Sequence, residues 1–328
     1  KRLSPALPDW PFRVVRLRCW FEKGKLFYLE YNLRLLFFLL GHRADLLNAV
    51  DLDTLLPGYL ASRWKQIPLV YDAHEYFTET PEVVRRPRVQ RIWEWLADTI
   101  LPRLQHAYTV GPGLARLMGA RYGLPFSVIR NLPYRSELPA NRPSPEKIIF
   151  YQGVLNEGRG LETAIRAMEQ LPGHQLWLAG EGDLSQSLRE LVEMEALHDR
   201  VQFLGFIQPA DLPALTRRAW LGLNLLENRG LSYYYSLANK AFDYLQAGVP
   251  AIHMAFPEYQ ALQQEFDCCL LLPDLEVDNL VTTIQALAAD EQRYAHLQQQ
   301  CRQAAAILNW ESEKKKLLAF YRPLLQLD

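Results

Sequence analysis

Short apolar segments alternate with amphipathic, helix-like segments along almost the whole chain, and this alternation constrains the fold more than any other feature. In the first half, the strand-like segments are FRVVRLRC (12–19), DLLNAV (45–50), IPLVYDAHE (67–75), AYTV (107–110) and FSVIRN (126–131). Helical patterns such as YLEYNLRLLFFLL lie between them. Repeated βα units of this length predict a parallel sheet with helices on both faces.

A proline-rich stretch, residues 131–146, interrupts this pattern with four prolines. No regular element tolerates that density of proline, so it predicts a connection between domains. Beyond it, strand-like segments such as KIIFYQG, HQLWLAG and PAIHM again alternate with helical ones. We therefore predict an α/β protein with two Rossmann-like domains, over residues 1–135 and 147–309. A linker at 136–146 joins them, and an amphipathic helix at 310–328 follows the second.

The charge is unevenly distributed along the chain. Residues 1–145 contain 21 Lys and Arg against 13 Asp and Glu, whereas the remainder contains 15 against 24. A basic first half suits an anionic acceptor or an anionic membrane surface. It is equally compatible with a solvated surface that faces the acidic half across a cleft.

The sequence predicts neither a membrane-spanning segment nor a metal site. The longest apolar run, LRLLFFLLG, is far shorter than the roughly 20 residues that cross a bilayer. The four cysteines lack metal-ligand spacing, and adjacent Cys268 and Cys269 lie in the apolar run CCLLL, which predicts buried thiols in a reducing compartment. These features predict a cytoplasmic protein. The basic first half adds the prediction of peripheral contact with the inner face of the membrane. No nucleic-acid partner is expected.

The stretch ENRGLSYYYSLANKAFDYLQAGVP (227–250) reads as a polar loop that turns into a short helix. Ser236 is a suitable N-cap and a Gly-Val-Pro stop follows, so we predict a helix that begins near Ser236. Its first turn would offer free backbone N–H groups to an anion, reinforced by Lys240. Asn239 and Asp243 share one helix face, which suits a nucleotide diphosphate with its ribose. The alternative is a capped surface helix.

The loop GVLNEGRG (153–160) follows the first strand of the second half. Gly153 and the later glycines let the backbone approach a ligand closely, and Arg159 can make a forked contact with phosphate oxygens. The loop is neither a P-loop nor a G-x-G-x-x-G fingerprint, which disfavours a dehydrogenase. The alternative is an ordinary βα turn with a surface Arg. AGEGD, with Gly180 and Glu181, is a weaker donor-binding candidate, because two glycines at a strand end usually form only a turn.

The densest polar chemistry of the first half lies in VYDAHEYFTE (70–79). Asp72, His74 and Glu75 crowd the end of a predicted strand, a composition suited to proton transfer or to binding sugar hydroxyls. These three are the catalytic candidates, although a His beside carboxylates is as often structural. No second His lies at ligand spacing, which disfavours a metal site.

Together these features resemble a GT-B-fold glycosyltransferase, in particular family four, the retaining nucleotide-sugar-dependent group. The likeness rests on the two Rossmann-like domains, the Pro-rich connection, Gly-x-x-x-x-Gly-Arg-Gly after the first strand of the second domain, and NKAFDYLQAGVP. It implies that Arg159 clamps the phosphates, that Lys240 and Asn239 lie on the phosphate-binding helix start, and that Asp243 binds ribose hydroxyls. It also implies that His74 faces the transferred sugar, that no cofactor or divalent metal is needed, and that the final helix packs back on the first domain.

Four departures from the family pattern accompany the resemblance. Val154 stands where a second basic clamp residue is common, and Tyr235 stands where the first Glu of a paired-glutamate motif would fall. The second Glu of that motif is shortened to Asp243. The opening strand and Gly-rich loop of the family are not recognisable, and the chain starts at Lys1 without an initiator Met. We therefore expect an N-terminal domain that lacks its first βα unit, a shortening that would permit nucleotide binding without turnover.

The sequence thus predicts a retaining glycosyltransferase that moves a sugar from a UDP- or GDP-linked donor to a hydroxyl of a glycan or lipid-linked acceptor, in cell-envelope or exopolysaccharide synthesis. A nucleotide-sugar epimerase of the same fold is one alternative. A non-catalytic nucleotide-sugar-binding protein is the other, and it is suggested by Tyr235 and by the missing first unit.

Overall fold

Two parallel β-sheets, one in each half of the chain, organise the structure. The computed structural model describes residues 11–136 and 147–325. Helices connect consecutive parallel strands in both halves, as such strands require. The prediction of an α/β protein with two Rossmann-like domains is confirmed.

The N-terminal sheet has four strands in sequential order. Its strands are β1 (Leu47–Val50), β2 (Leu69–Ala73), β3 (His106–Thr109) and β4 (Phe126–Val128). Its helices are α1 (Gly24–Gly41), α2 (Leu55–Lys65), α3 (Pro81–Val84), α4 (Pro87–Ile100) and α5 (Pro112–Tyr122). Each crossover leads to the next strand in the same direction across the sheet. Right-handed crossovers of this kind place their helices on one face. The core on that face contains Leu55, Tyr71 and Leu114.

The predicted strand at 12–19 is wrong, because residues 11–23 form neither helix nor strand. Phe12, Val14 and Val15 are exposed. β-branched residues favour an extended backbone, but a strand also requires a partner for its N–H and C=O groups. None of the strands in the described ranges pairs with this segment.

The second sheet has six strands in the order β10-β9-β8-β5-β6-β7. These are β5 (Lys147–Gln152), β6 (His174–Ala179), β7 (Val201–Gly205), β8 (Leu221–Asn224), β9 (Ala251–Met254) and β10 (Cys269–Leu272). The helices are α6 (Leu161–Ala167), α7 (Ser185–Met194), α8 (Leu212–Thr216), α9 (Leu231–Tyr234), α10 (Asn239–Ala247), α11 (Pro257–Phe266), α12 (Val277–Ala289), α13 (Glu291–Ile307) and α14 (Trp310–Leu325).

The strand order of the second sheet reverses between β5 and β8. Strand β5 pairs with β6 on one side and with β8 on the other. Loops at the carboxyl ends of two such strands diverge and leave a crevice, which is where open α/β sheets bind ligands. The 153–160 loop follows β5 and the 227–250 stretch follows β8, so both predicted loops meet at this crevice.

Helix α14 returns from the second domain to the first. Its Leu317, Phe320 and Tyr321 pack against Val70 and Tyr108 of the N-terminal sheet. Successive strand residues point to opposite faces, so this is the face opposite the one that carries Tyr71. The two domains are therefore joined by a helix as well as by the connection that precedes β5.

The linker, the cysteines and the absence of a membrane span were also predicted from the sequence. Of the predicted linker at 136–146, all but Ser136 lies outside the described residues. Cys268 and Cys269 are buried free thiols, as predicted. Within residues 11–136 and 147–325, no helix is both long enough and apolar enough to cross a membrane.

Candidate active site in the interdomain cleft

A cleft of about 480 Å³ lies between the two domains, at the crevice beside β5 and β8. Residues that follow β2, β5 and β8 line it, together with the start of α10. Eight of the predicted site residues belong to this lining: His74, Glu75, Gly153, Arg159, Ser236, Asn239, Lys240 and Asp243. The first two come from the N-terminal domain and the others from the second, so both domains face the cleft.

Two glycines shape the loop after β5. Gly153 has a φ of +138°, which side-chain-bearing residues rarely adopt. A Cβ on Gly180 would overlap the carbonyl oxygen of Gly153, so Gly180 packs behind the loop and does not line the cleft. Glu181 does not line it either, and its carboxylate pairs with Arg189 at 3.1 Å. The structure thus places these two predicted donor-binding residues beside the site.

Lys240 is buried and lines the cleft. Its Nζ lies 3.8 Å from the centroid of the Tyr151 ring, a cation–π contact. Burial, and then the charge of Arg159, lower the pKa of Lys240 well below its ordinary value. A buried ammonium near a guanidinium gains free energy when an anion enters.

Arg159 supplies the second cationic group. Its guanidinium carbon lies 5.1 Å from the centroid of the Tyr233 ring. The Nε of Arg159 is buried and has no hydrogen-bond partner among the described residues. A buried donor without an acceptor is unfavourable unless a ligand or water supplies one. Arg159 and Lys240 therefore offer two cationic donors to one ligand.

Helix α10 begins at Asn239, which corrects the predicted start near Ser236. Ser236 belongs instead to the turn that follows α9, where its N–H donates to the carbonyl of Tyr233. Ala238, in an extended conformation, is the N-cap. As first-turn amides, those of Asn239 and Lys240 have no carbonyl to bind within the helix and are available to a ligand.

Asp243 lies one turn into α10 and accepts a hydrogen bond from Nε2 of Gln152 at 2.7 Å. Burial raises the pKa of Asp243 to about 6. Gln152 accepts in turn from the hydroxyl of Thr216 at 2.7 Å, so its amide is fixed on both sides. Gln152 was missed in the sequence, although a polar residue at the end of the first strand of a doubly wound sheet signals such a position.

On the opposite side of the cleft, His74 is held by two carboxylates. Its Nε2 lies 3.2 Å from Oδ1 of Asp72, and its backbone N–H donates to Asp51 at 3.0 Å. The hydrogen bond with Asp72 raises the pKa of His74 above its ordinary value. Asp72 is buried and does not line the cleft, so it supports His74 from behind.

Glu75 lines the cleft beside His74. Burial raises the pKa of Glu75 to about 7, and the charge of Asp51 adds to this effect. A carboxyl group with such a pKa can accept or donate a hydrogen bond near neutral pH. In the described part of the chain, no group of three or more His, Cys, Asp or Glu side chains is arranged to hold a metal ion.

Tyr235, at the position where the resemblance places a Glu, does not line the cleft. Its ring packs against the core of the N-terminal domain, and a Cβ on Gly113 would overlap it. Tyr233 lines the cleft instead. Three consecutive tyrosines show no periodic pattern from which the ring that lines the cleft could be predicted. The sequence therefore did not single out Tyr233.

Two family models match the sequence. The model of the glycosyl transferases group 1 matches residues 137–306, and that of Glycosyltransferase Family 4 matches residues 2–132. No protein of curated function matches the sequence significantly.

Solved structures share the fold. Sucrose-phosphate synthase from Thermosynechococcus elongatus has a TM-score of 0.74 and 21% identity, over 92% of this chain and 79% of that one. The Anabaena protein HepE, solved in complex with UDP-glucose, has a TM-score of 0.71 and 19% identity, over 88% and 82%. WaaG, a glycosyltransferase involved in lipopolysaccharide biosynthesis, has a TM-score of 0.71 and 14% identity, over 93% and 86%. At these identities the likeness shows the fold, whereas the first family model covers more than half of the chain. The chain therefore belongs to the group 1 glycosyltransferases, which transfer sugars on a GT-B fold.

Proposed function

We propose that this enzyme transfers a sugar from a nucleotide-diphosphate donor to an acceptor hydroxyl. The transfer retains the configuration at the anomeric carbon of the sugar and needs no metal ion. One observation carries the proposal. Arg159, Lys240 and the first turn of α10 line a single cleft, opposite His74 and Glu75. Cationic side chains beside a helix N-terminus form a diphosphate site, and the groups across it suit the sugar.

The same cationic groups suit the departure of the nucleoside diphosphate. As the bond between sugar and phosphate breaks, negative charge grows on the leaving oxygens. Arg159, Lys240 and the amides of α10 stabilise that charge in place, as divalent ions do in other enzymes. The acceptor oxygen bonds to the anomeric carbon on the face that the phosphate leaves, and the departing phosphate accepts the proton of that hydroxyl. Attack on the same face gives retention.

Asp243 and Asn239 complete the donor site in this proposal. Asp243, fixed by Gln152, accepts hydrogen bonds from the ribose hydroxyls, and Asn239 lies beside the diphosphate. UDP-glucose is the first donor to test, since HepE binds it, and GDP-linked sugars are the alternative. Calorimetric titration with a panel of UDP- and GDP-sugars identifies the base.

The acceptor is a glycan or lipid-linked sugar in this proposal, and the setting is cell-envelope or exopolysaccharide assembly. The role of WaaG in lipopolysaccharide biosynthesis supports that setting. The excess of Lys and Arg in residues 1–145 supports peripheral contact with an anionic membrane from the cytoplasmic side.

A second function, nucleotide-sugar binding without turnover, is favoured by one observation. Tyr235 is packed into the domain interface, so the cleft has no carboxylate from the position of the family's first Glu. Release of the nucleoside diphosphate from a panel of UDP- and GDP-sugars decides between the two functions, because a binding protein would retain affinity for its nucleotide sugar and release no nucleoside diphosphate.

Arg159→Ala and Lys240→Ala should each weaken UDP binding roughly 10- to 100-fold, the loss expected for a hydrogen bond to a charged group. Uridine, which lacks the diphosphate, should bind both variants with nearly unchanged affinity. Isothermal titration calorimetry with both ligands measures this. Arg189→Ala, which removes a guanidinium outside the cleft, is the matched control. Equal losses for UDP and uridine would show that neither residue contacts phosphate.

EDTA should leave UDP release from UDP-glucose unchanged. The reason is that Arg159, Lys240 and the start of α10 already supply the charge that a divalent ion would supply. Initial rates with EDTA, and then with added Mg²⁺ or Mn²⁺, measure this. A strict requirement for either ion would contradict the metal-free mechanism.

A further inference from the structure

We propose that Tyr108 is a positioning residue for His74 and acts on it through Asp72. Tyr108 lies in β3, away from the cleft, and it follows no pattern that the sequence singles out. The inference deepens the proposed function, because it rests on His74 as a group that contacts the transferred sugar.

The Asp72 carboxylate is buried between two partners that use different oxygens. Oδ1 lies 3.2 Å from Nε2 of His74, and Oδ2 accepts a hydrogen bond from the Tyr108 hydroxyl at 2.8 Å. The carboxylate cannot rotate without breaking one of these contacts. Tyr108 therefore fixes the oxygen that His74 meets.

The backbone of His74 is held separately from its ring. Its N–H donates to Asp51 at 3.0 Å, and the Asp51 N–H donates to the carbonyl of Asp72 at 2.9 Å. The half-exposed imidazole makes its hydrogen bond to Asp72 and to no other described side chain. Because the carboxylate accepts the Nε2 proton, neutral His74 keeps Nδ1 as an acceptor for a sugar hydroxyl.

Helix α14 holds Tyr108 from the other side. The Tyr321 hydroxyl lies 3.4 Å from that of Tyr108, and the Phe320 ring packs edge-on against the Tyr108 ring with centroids 5.3 Å apart. Since α14 starts in the second domain, a displacement of this helix reaches Asp72 through Tyr108. The orientation of His74 is thereby linked to the packing of α14.

The test compares Tyr108→Phe, Asp72→Asn and the double variant. Tyr108→Phe should lower kcat for UDP release from UDP-glucose roughly 2- to 10-fold with KM unchanged, in line with the loss of one hydrogen bond. Asp72→Asn should lower it further, and the double variant should equal Asp72→Asn, because Tyr108 acts only through that carboxylate. Tyr294→Phe, which removes a hydroxyl bonded to Trp220 in the second domain, should match the wild type.

Nitrogen-15 NMR of His74 provides a readout that does not depend on turnover. In the wild type, Nε2 should be protonated and Nδ1 unprotonated in the neutral ring. In Tyr108→Phe, the two shifts should move toward each other as the carboxylate becomes free to rotate. Unchanged His74 shifts in Tyr108→Phe, or kinetic losses that multiply in the double variant, would overturn the proposal. A wild type that shows the expected shifts but releases no nucleoside diphosphate from any UDP- or GDP-sugar would refute the proposed function and leave the positioning role standing.

Discussion

Lys240 illustrates how burial sets the chemistry of the cleft at the scale of a single residue. Its ammonium is removed from water and lies near Arg159, so the pKa of Lys240 falls well below its usual value. Asp243 responds in the opposite sense, and its pKa rises to about 6 because burial disfavours its charge. Without a ligand, both residues are thus biased toward their neutral forms. A diphosphate changes this balance most strongly for Lys240.

UDP binding should therefore be accompanied by proton uptake at Lys240. The pKa is lowered in the free protein and is raised again by the diphosphate, so between the two values the complex binds more protons than the free protein. Calorimetry over a series of pH values in Tris and in HEPES, which differ in ionisation enthalpy, should give different observed enthalpies wherever the pH lies between these two pKa values. The difference should correspond to about one proton or less.

Two variants assign the proton. Lys240→Met should abolish the buffer dependence, whereas Lys314→Met, which removes an exposed ammonium on α14, should preserve it. Identical enthalpies in the two buffers for the wild-type protein would contradict the assignment.

At the scale of elements, close backbone approach shapes the side of the cleft that the second domain forms. The loop after β5 contacts the residue that follows β6, because Gly180 allows the carbonyl of Gly153 to lie where a side chain would otherwise project. Gly153 N–H also donates to the carbonyl of Ala179 at 2.9 Å. The 153–160 loop is therefore positioned by a neighbouring strand as much as by its own residues.

Gly180→Ala should displace the 153–160 loop and weaken UDP binding by at least roughly tenfold, as expected when the charged contact of Arg159 with the diphosphate is misplaced. It should also lower the free energy of unfolding by more than the ~1–2 kcal/mol of an L-residue in the left-handed region. Gly173→Ala is the matched control, because Gly173 has a φ of +78° but no heavy atom lies within 4 Å of the added Cβ. Thermal denaturation and calorimetry measure both effects, and wild-type UDP affinity in Gly180→Ala would contradict this account.

The sequence predicted the helices, strands and loops better than it predicted which side chains contact one another. The loops after β5 and β8 were located correctly, because glycines and polar residues that follow apolar runs signal strand ends. The strand at 12–19 was wrong, since local β propensity does not provide a pairing partner. Gln152 was missed because its position at the cleft depends on Thr216 of α8 and Asp243 of α10, which are distant in sequence.

At the scale of the whole molecule, contacts in the interface outside the cleft hold the two domains together. The buried Glu258 carboxylate, from α11, accepts a hydrogen bond from the Gly113 N–H at 2.5 Å, at the N-terminus of α5. A carboxylate is favourable at that end of a helix. Tyr235 packs at the same place, and Arg85 pairs with Glu157 at 2.8 Å elsewhere in the interface. A Cβ at Gly113 therefore has no room unless Tyr235 or Glu258 shifts.

Gly113→Ala should separate the domains while leaving each of them folded. The added Cβ would overlap the Tyr235 ring and lie 2.6 Å from Oε1 of Glu258, so the interface must open to relieve the overlap. Gly119→Ala is the control in the same helix, because its Cβ meets its nearest heavy atom at an ordinary 3.4 Å, and Ala favours helix. Small-angle X-ray scattering should show a larger radius of gyration for Gly113→Ala alone. UDP release from UDP-glucose should fall because His74 no longer lies across the cleft from Arg159 and Lys240. A scattering profile identical to that of the wild type would show that the interface accommodates the methyl group and that Gly113 does not govern closure.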